Sequence, residues 1–150
     1  KTLFDPVVVT QIQARLAALR PASERRWGRM TPHQAVCHLS DTLRMALGER
    51  PIDFRGSLLL RTVVRFIVLT LPAPWPKGVG TAPEIDQGHG GTPPAEFSAD
   101  KEALRVLIGR FIATDGRDEA PHPIFGSIRR GEWGRWGYRH LHHHLSQFGV

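Results

Sequence analysis

The stretch "GYRHLHHHLSQFGV" (137–150) carries half of the histidines of this 150-residue chain and decides how its fold is read. The four are His140, His142, His143 and His144. A purification tag would be an uninterrupted run of histidines without structural meaning. Here Leu141, Leu145 and Phe148 accompany the histidines at helical intervals. The stretch therefore predicts a helix that belongs to the fold.

A helical wheel of this stretch places two of the histidines together. At about 100° per residue, His140 and His144 lie one turn apart along an edge of the apolar face, with His143 beside them and His142 toward solvent. Two histidines at i and i+4 on an inward face can share one metal ion. Such a pair also arises by chance, because an inward histidine is more often a hydrogen-bonded core residue than a ligand.

A catalytic metal site needs a third protein ligand, and the second helix offers His38. This residue borders the apolar arc of its helix, so it is expected to face the interior. Asp41, one turn further on, is a candidate to orient a histidine as an outer carboxylate. Cys37 points away from the proposed site and is interpreted as a packing residue. No catalytic acid, base or nucleophile is identified beyond the ligands.

Capping signals and apolar stripes predict four long amphipathic helices. Asp5, Thr31 and Ser98 are the expected N-caps of the first three, and the last runs from about Gly131 to Phe148. The apolar segment 58–71 predicts a shorter, fifth helix. Because no alternating strand pattern appears, the expected fold is an all-α helical bundle.

The segment 72–97 is irregular, with six prolines, several glycines and no periodicity. Long connections of this kind are often functional. Two interpretations remain open: a lid over a substrate site, or a proline-stiffened crossover between two helices. Its glycines do not form a phosphate-binding loop pattern.

Charge and composition limit the expected partners. The net charge is +6, but the arginines are scattered along the chain, which argues against nucleic-acid binding. The segment 58–71 is shorter than the roughly 20 residues of a membrane span and contains two arginines, so no stable membrane insertion is expected. A single cysteine fits a reducing cytoplasm.

Two motifs, "CHLSD" (37–41) and "RHLHHHLSQF" (139–148), resemble the DinB/YfiT-like superfamily of metal-dependent enzymes. Further segments, including "WGRMTPHQAVCHLSD", "PWPKG" and "APEIDQGHGGTPPAEF", resemble one uncharacterised branch of it, a domain of unknown function. The similarity covers nearly the whole chain. In that superfamily, matching histidines bind a divalent metal, which implies that His38, His140 and His144 are the ligands. His143 and Gln147 match the motif that follows.

The resemblance implies a single domain over 1–150, built as an up-down-down-up four-helix bundle with a long crossover and one extra short helix. It implies a divalent transition metal, nickel or zinc, and a low-molecular-weight thiol such as mycothiol, bacillithiol or glutathione. A homodimer formed through 58–71 is also expected.

The expected function is that of a metal-dependent enzyme, which activates the thiol or water for S-transfer to, or hydrolysis of, a small-molecule substrate. The alternative is a non-catalytic helical binding module with a structural or vestigial metal site. Three histidines with open coordination positions favour the enzyme, whereas a fourth protein ligand would favour the structural role.

Overall fold

The computed structural model of the protein describes residues 1–53, 56–71, 74–114 and 121–150, and in these ranges the chain is all-helical without a named strand. The α-helices are α1 (Pro6–Ala18), α2 (Pro32–Ala46), α3 (Arg65–Thr70), α4 (Phe97–Ala113) and α5 (Arg130–Ser146). A π-helical turn, Leu60–Val64, precedes α3, and a 3₁₀ turn, Pro83–Ile85, lies in the following connection. The predicted extra short helix is therefore confirmed.

Two of the three predicted N-caps are confirmed. The side chain of Asp5 accepts a hydrogen bond from the Val7 N–H, and Thr31 forms a reciprocal capping box with Gln34. The prediction of Ser98 as the cap of α4 is wrong.

The cap of α4 is Glu96, which accepts hydrogen bonds from the Ser98 and Ala99 N–H groups. The longer carboxylate reaches both of these free donors, and the Ser98 hydroxyl itself donates to it at 2.6 Å. Helix α4 therefore starts one residue before the predicted cap, at Phe97.

The four long helices α1, α2, α4 and α5 surround one hydrophobic core, and α2 packs most extensively against α4. Among its largest fully buried side chains are Ile12, Leu43, Leu104, Phe111 and Trp133. These residues carry the apolar stripes that predict the helices. The up-down-down-up order of the helices stays a prediction.

Two glycines bring the first residues of the chain against α5. The Leu3 N–H donates to the Gly134 carbonyl at 3.0 Å, and Leu3 is fully buried. At Gly137, a Cβ atom would lie 2.8 Å from Leu3 Cδ1 and 3.1 Å from Phe111 Cε1. A side chain there would force the buried Leu3 and Phe111 side chains to shift, so the present approach of α5 to its neighbours depends on this glycine.

The segment 58–71 lies largely on the surface. Leu58 and Phe66 are 78% and 60% exposed, whereas Leu69 is buried. Arg65 donates to both carboxylate oxygens of Glu132, which ties the segment to α5. No described helix combines the length and hydrophobicity needed to cross a bilayer.

Candidate metal centre

Three histidines from two helices converge between α2 and α5. One nitrogen of each of His38, His140 and His144 lies within 4.8 Å of the others. The ring centroids are 4.7 Å apart for His38 and His144, and 4.9 Å apart for His140 and His144. The structure thus brings together the three residues that the sequence predicts as metal ligands.

Hydrogen bonds at the outer nitrogens define how two of these rings are protonated. His38 Nδ1 lies 2.8 Å from the Ile85 carbonyl oxygen, and His144 Nδ1 lies 2.7 Å from Gln147 Oε1. Both oxygens accept, so both Nδ1 atoms carry the proton and donate. Each neutral ring therefore presents an unprotonated Nε2 lone pair to the group.

The third ring, His140, faces these lone pairs. Its Nε2 atom lies 3.1 Å from His38 Nε2, and its Nδ1 atom is buried without a hydrogen-bond partner among the described residues. Two imidazole nitrogens on one zinc or nickel ion, each about 2.0–2.1 Å from it, lie roughly 3.0–3.4 Å apart. The spacing and the donor set therefore fit a divalent transition metal.

Burial favours the neutral form of all three rings. It lowers the pKa of His38, with partial opposition from the Ile85 carbonyl and two carboxylates, and holds the pKa values of His140 and His144 well below their ordinary range. Mutual repulsion within the group lowers the latter two pKa values further. Neutral imidazole is the form that binds a metal, so the site is ready for coordination at neutral pH.

Three residues are predicted around the ligands: Gln147, His143 and Asp41. Gln147 is buried and orients His144, as the outer partner of a metal ligand does. His143 is half-buried, packs edge-on against Trp27 at 4.5 Å, and has a pKa lowered to about 4, mainly by burial. It adjoins His144 without joining the three-histidine group.

Asp41 does not orient a histidine directly, which corrects the prediction. Its carboxylate, fully buried, accepts hydrogen bonds from four residues: Arg44, Arg50, Gln87 and Thr92. The last two belong to the segment after the 3₁₀ turn. Asp41 points from α2 toward that segment, where these donors lie nearer than any imidazole.

Arg50 completes this anchor for the segment 82–92. It donates to the carbonyl oxygens of Glu84 and Gly90 at 2.8 and 2.6 Å, and to Asp41. Ile85, within the anchored segment, supplies the carbonyl that orients His38. Asp41 and Arg50 therefore act on His38 through the backbone of the connection.

A second group of ligand-type side chains, which the sequence interpretation missed, lies between α2 and α4. His33 Nε2 lies 2.7 Å from Asp100 Oδ2, and the thiol of Cys37 donates to the same oxygen at 3.7 Å. The Ala95 N–H also donates to it, at 3.0 Å. The i, i+4 spacing of His33 and Cys37 was a visible signal, whereas the position of Asp100 on α4 was not.

A cavity of about 460 Å³ lies beside α5, and its wall includes neighbours of the three histidines but not these histidines themselves. Trp75 and His143 line it, and their rings lie 5.7 Å from His140 and 5.2 Å from His144 respectively. The Trp75 indole donates to the Val68 carbonyl at 3.2 Å, which fixes it against the segment 58–71. The irregular connection thus contributes Trp75 to the cavity wall and the Ile85 carbonyl to the orientation of His38.

The chain belongs to the family described as "Protein of unknown function (DUF1569)", whose model matches residues 9–149. No curated protein and no solved structure is significantly similar to the chain.

Proposed function

We propose that this member of a family of unknown function is a metal-dependent enzyme of the DinB/YfiT-like type. His38, His140 and His144 hold a divalent transition metal, nickel or zinc. The enzyme activates a low-molecular-weight thiol or a water molecule for S-transfer or hydrolysis. The observation that carries the proposal is the convergence of three neutral imidazoles, two of them oriented by outer hydrogen bonds.

The arrangement of lone pairs supports a cation in preference to a hydrogen-bonded core cluster. Because His38 and His144 donate through Nδ1, both Nε2 atoms are acceptors, and only one donor, His140 Nε2–H, could serve them. Even then this single hydrogen would serve only one of the two Nε2 lone pairs. A metal ion satisfies several Nε2 lone pairs at once.

The number of ligands supports a catalytic site over a structural one. Within the described ranges, the group contains three histidines and no fourth ligand-type residue. Structural zinc sites are almost always closed by four protein ligands, whereas catalytic sites keep a position for water or substrate. A bound divalent ion lowers the pKa of a thiol or water that it coordinates. The protein supplies neutral donors, their orientation and the adjoining cavity.

The remaining structural proposals follow from the same resemblance. The helices form one DinB-like bundle in the up-down-down-up order, and the protein acts in the cytoplasm. The exposed apolar side chains of 58–71, such as Leu58 and Phe66, form a homodimer contact. Size-exclusion chromatography with light scattering tests this contact: the wild type is expected as a dimer, and the Phe66→Asp variant as a monomer.

The decisive experiment is elemental analysis of untagged protein, followed by the His140→Ala variant. We expect about one nickel or zinc ion per chain in the wild type and none in the variant, with unchanged helical content by circular dichroism. The matched control is His142→Ala on the same helix, because His142 is exposed and contacts Arg15. Undiminished metal in His140→Ala would eliminate the site.

Catalysis is tested separately with metal-loaded protein. Thermal stabilisation by thiol cofactors, followed by assays of thiol transfer to an electrophile, is expected to depend on His140. Stoichiometric metal without stabilisation by any thiol and without hydrolytic activity would support the non-catalytic module with a structural metal.

A further inference from the structure

The cavity lined by Trp75 and His143 has a strongly basic wall. Four cationic side chains line it: Lys1, Lys77, Arg135 and Arg139. No carboxylate belongs to the part of its wall that the structure describes. Like charges around one concave space repel one another and raise the local concentration of anions.

Aromatic rings form much of the remaining wall. Trp27, Trp75 and Tyr138 line the cavity, and a cation lies over each of these rings, with Lys1 Nζ 5.9 Å from the Tyr138 ring centroid. Lys77 Nζ is 5.3 Å from the Trp27 ring centroid, and the Arg139 guanidinium is 5.8 Å from that of Trp75. Flat surfaces of this kind favour a planar, unsaturated ligand.

The size of the cavity is typical of a site for a small molecule. A volume of about 460 Å³ is within the range of small-molecule sites, roughly 300–1,000 Å³. A nucleic acid would need a basic surface that extends beyond one pocket, and the basic residues of this chain are scattered.

We propose that this cavity binds a small organic anion that has a planar group and at least one carboxylate or phosphate. As an anion site the cavity stands on its own lining. As the place where the substrate or thiol is held, it rests on the proposed function, and its position supports this because the lining rings of Trp75 and His143 lie beside His140 and His144. The ligand's charge would lie among the basic side chains and its reactive end toward Trp75 and His143, the lining residues that adjoin His140 and His144.

The test is isothermal titration calorimetry at low ionic strength with benzene-1,3-dicarboxylate as the probe. The neutral benzene-1,3-dicarboxamide, of the same shape, is the ligand control. We expect submillimolar binding of the dicarboxylate and no measurable binding of the diamide. Equal binding of the two, or no binding of the dicarboxylate, would overturn the proposal.

Charge-matched variants locate the binding. Lys77→Gln combined with Arg135→Gln is expected to weaken dicarboxylate binding at least roughly tenfold, because both charges face the cavity. Arg20→Gln combined with Arg105→Gln removes two exposed charges that do not line it and is expected to leave the affinity unchanged. Equal weakening by the two pairs would indicate a general charge effect and contradict the site.

Two further measurements separate this inference from the metal proposal. The titration is repeated after removal of metal with EDTA, and metal content is measured independently. Dicarboxylate binding by a protein that never holds metal would refute the proposed enzyme but retain the anion site, and metal without dicarboxylate binding would do the reverse. Stronger binding of a heparin fragment than of the dicarboxylate, lost in the same variant, would replace the small anion by a polyanion.

Discussion

Helix α2 contributes to two groups of ligand-type residues, one shared with α5 and one with α4, and the groups differ in how their polar atoms are satisfied. In the group of His33, Cys37 and Asp100, one carboxylate oxygen accepts from the imidazole, the thiol and a backbone N–H. In the group of His38, His140 and His144, two of the three N–H donors bind outer oxygens, so the acceptor nitrogens outnumber the one donor that is left for them.

The difference shows that proximity of ligand-type residues does not by itself indicate a metal site. A group that contains both a carboxylate and hydrogen-bond donors can satisfy its polar atoms through hydrogen bonds of its own. Three neutral imidazoles cannot do so, because each ring brings one donor and one acceptor, and the outer carbonyl and amide oxygens use two of the donors. We therefore propose a metal site at His38, His140 and His144 alone.

The largest expected effect is on metal stoichiometry. His38→Ala is expected to abolish stoichiometric metal binding, because two remaining imidazoles do not retain the ion. Cys37→Ala, one residue away, is expected to bind as much metal as the wild type. Elemental analysis of both dialysed variants checks this, and loss of metal in Cys37→Ala would reverse the assignment of the two groups.

Removal of metal is expected to lower the thermal stability of the wild type. A ligand present at about 1,000 times its Kd stabilises the folded state by roughly 4 kcal/mol, which for a chain of this size raises Tm by about 10 °C. Differential scanning calorimetry with EDTA and with excess metal measures the shift. His33→Ala should show the same shift and His38→Ala none; an unchanged shift in His38→Ala would place the stabilising ion elsewhere.

A smaller effect is expected from the residue that orients His144. Gln147→Leu removes the acceptor of the His144 Nδ1 proton, so the ring can adopt the wrong tautomer, and metal affinity is expected to fall by about 10–100-fold. Competition with a fluorescent chelator measures the affinity. The control is Asp100→Asn, which alters the other group; equal losses in the two variants would point to a general structural effect.

The smallest effect is expected at Cys37. Burial, the main cause, together with Asp100 raises the pKa of this thiol to about 12, so the reactive thiolate is scarce at all pH values well below that. Iodoacetamide is therefore expected to leave Cys37 unmodified in the folded protein at pH 8 and to alkylate it in urea, where the pKa returns to about 9. Mass spectrometry distinguishes the two. Rapid alkylation of the folded protein would show instead that the Cys37 thiol is accessible to the reagent.

Local sequence signals predict the helices and the position of the ligands on them. Asp5 and Thr31 cap their helices through partners within three residues, and His140 and His144 share a face because they are one turn apart. Ser98 shows the limit of such local rules. Both Ser98 and Glu96 can cap a helix, and the choice depends on which oxygen reaches the free N–H groups.

Contacts between distant segments could not be predicted in the same way. Thr92 is 51 residues from Asp41 in the chain and yet bonds to its carboxylate. Trp75 lies over His140 only because the connection folds back past α5. Spacing along one helix identifies residues with a shared face, but not what a loop places against that face.

Packing at Gly137, in the hydrophobic core, helps to set the position of the two α5 histidines relative to His38. A helix is stiff over a few turns, so a displacement of α5 at Gly137 would be transmitted to His140 and His144, while His38 would stay with α2. Hydrophobic packing absorbs small shifts at modest cost, but metal–ligand distances tolerate only about 0.2 Å. A methyl group at position 137 would thus leave the protein folded but move His140 and His144 away from the positions at which they and His38 can bind the same metal ion.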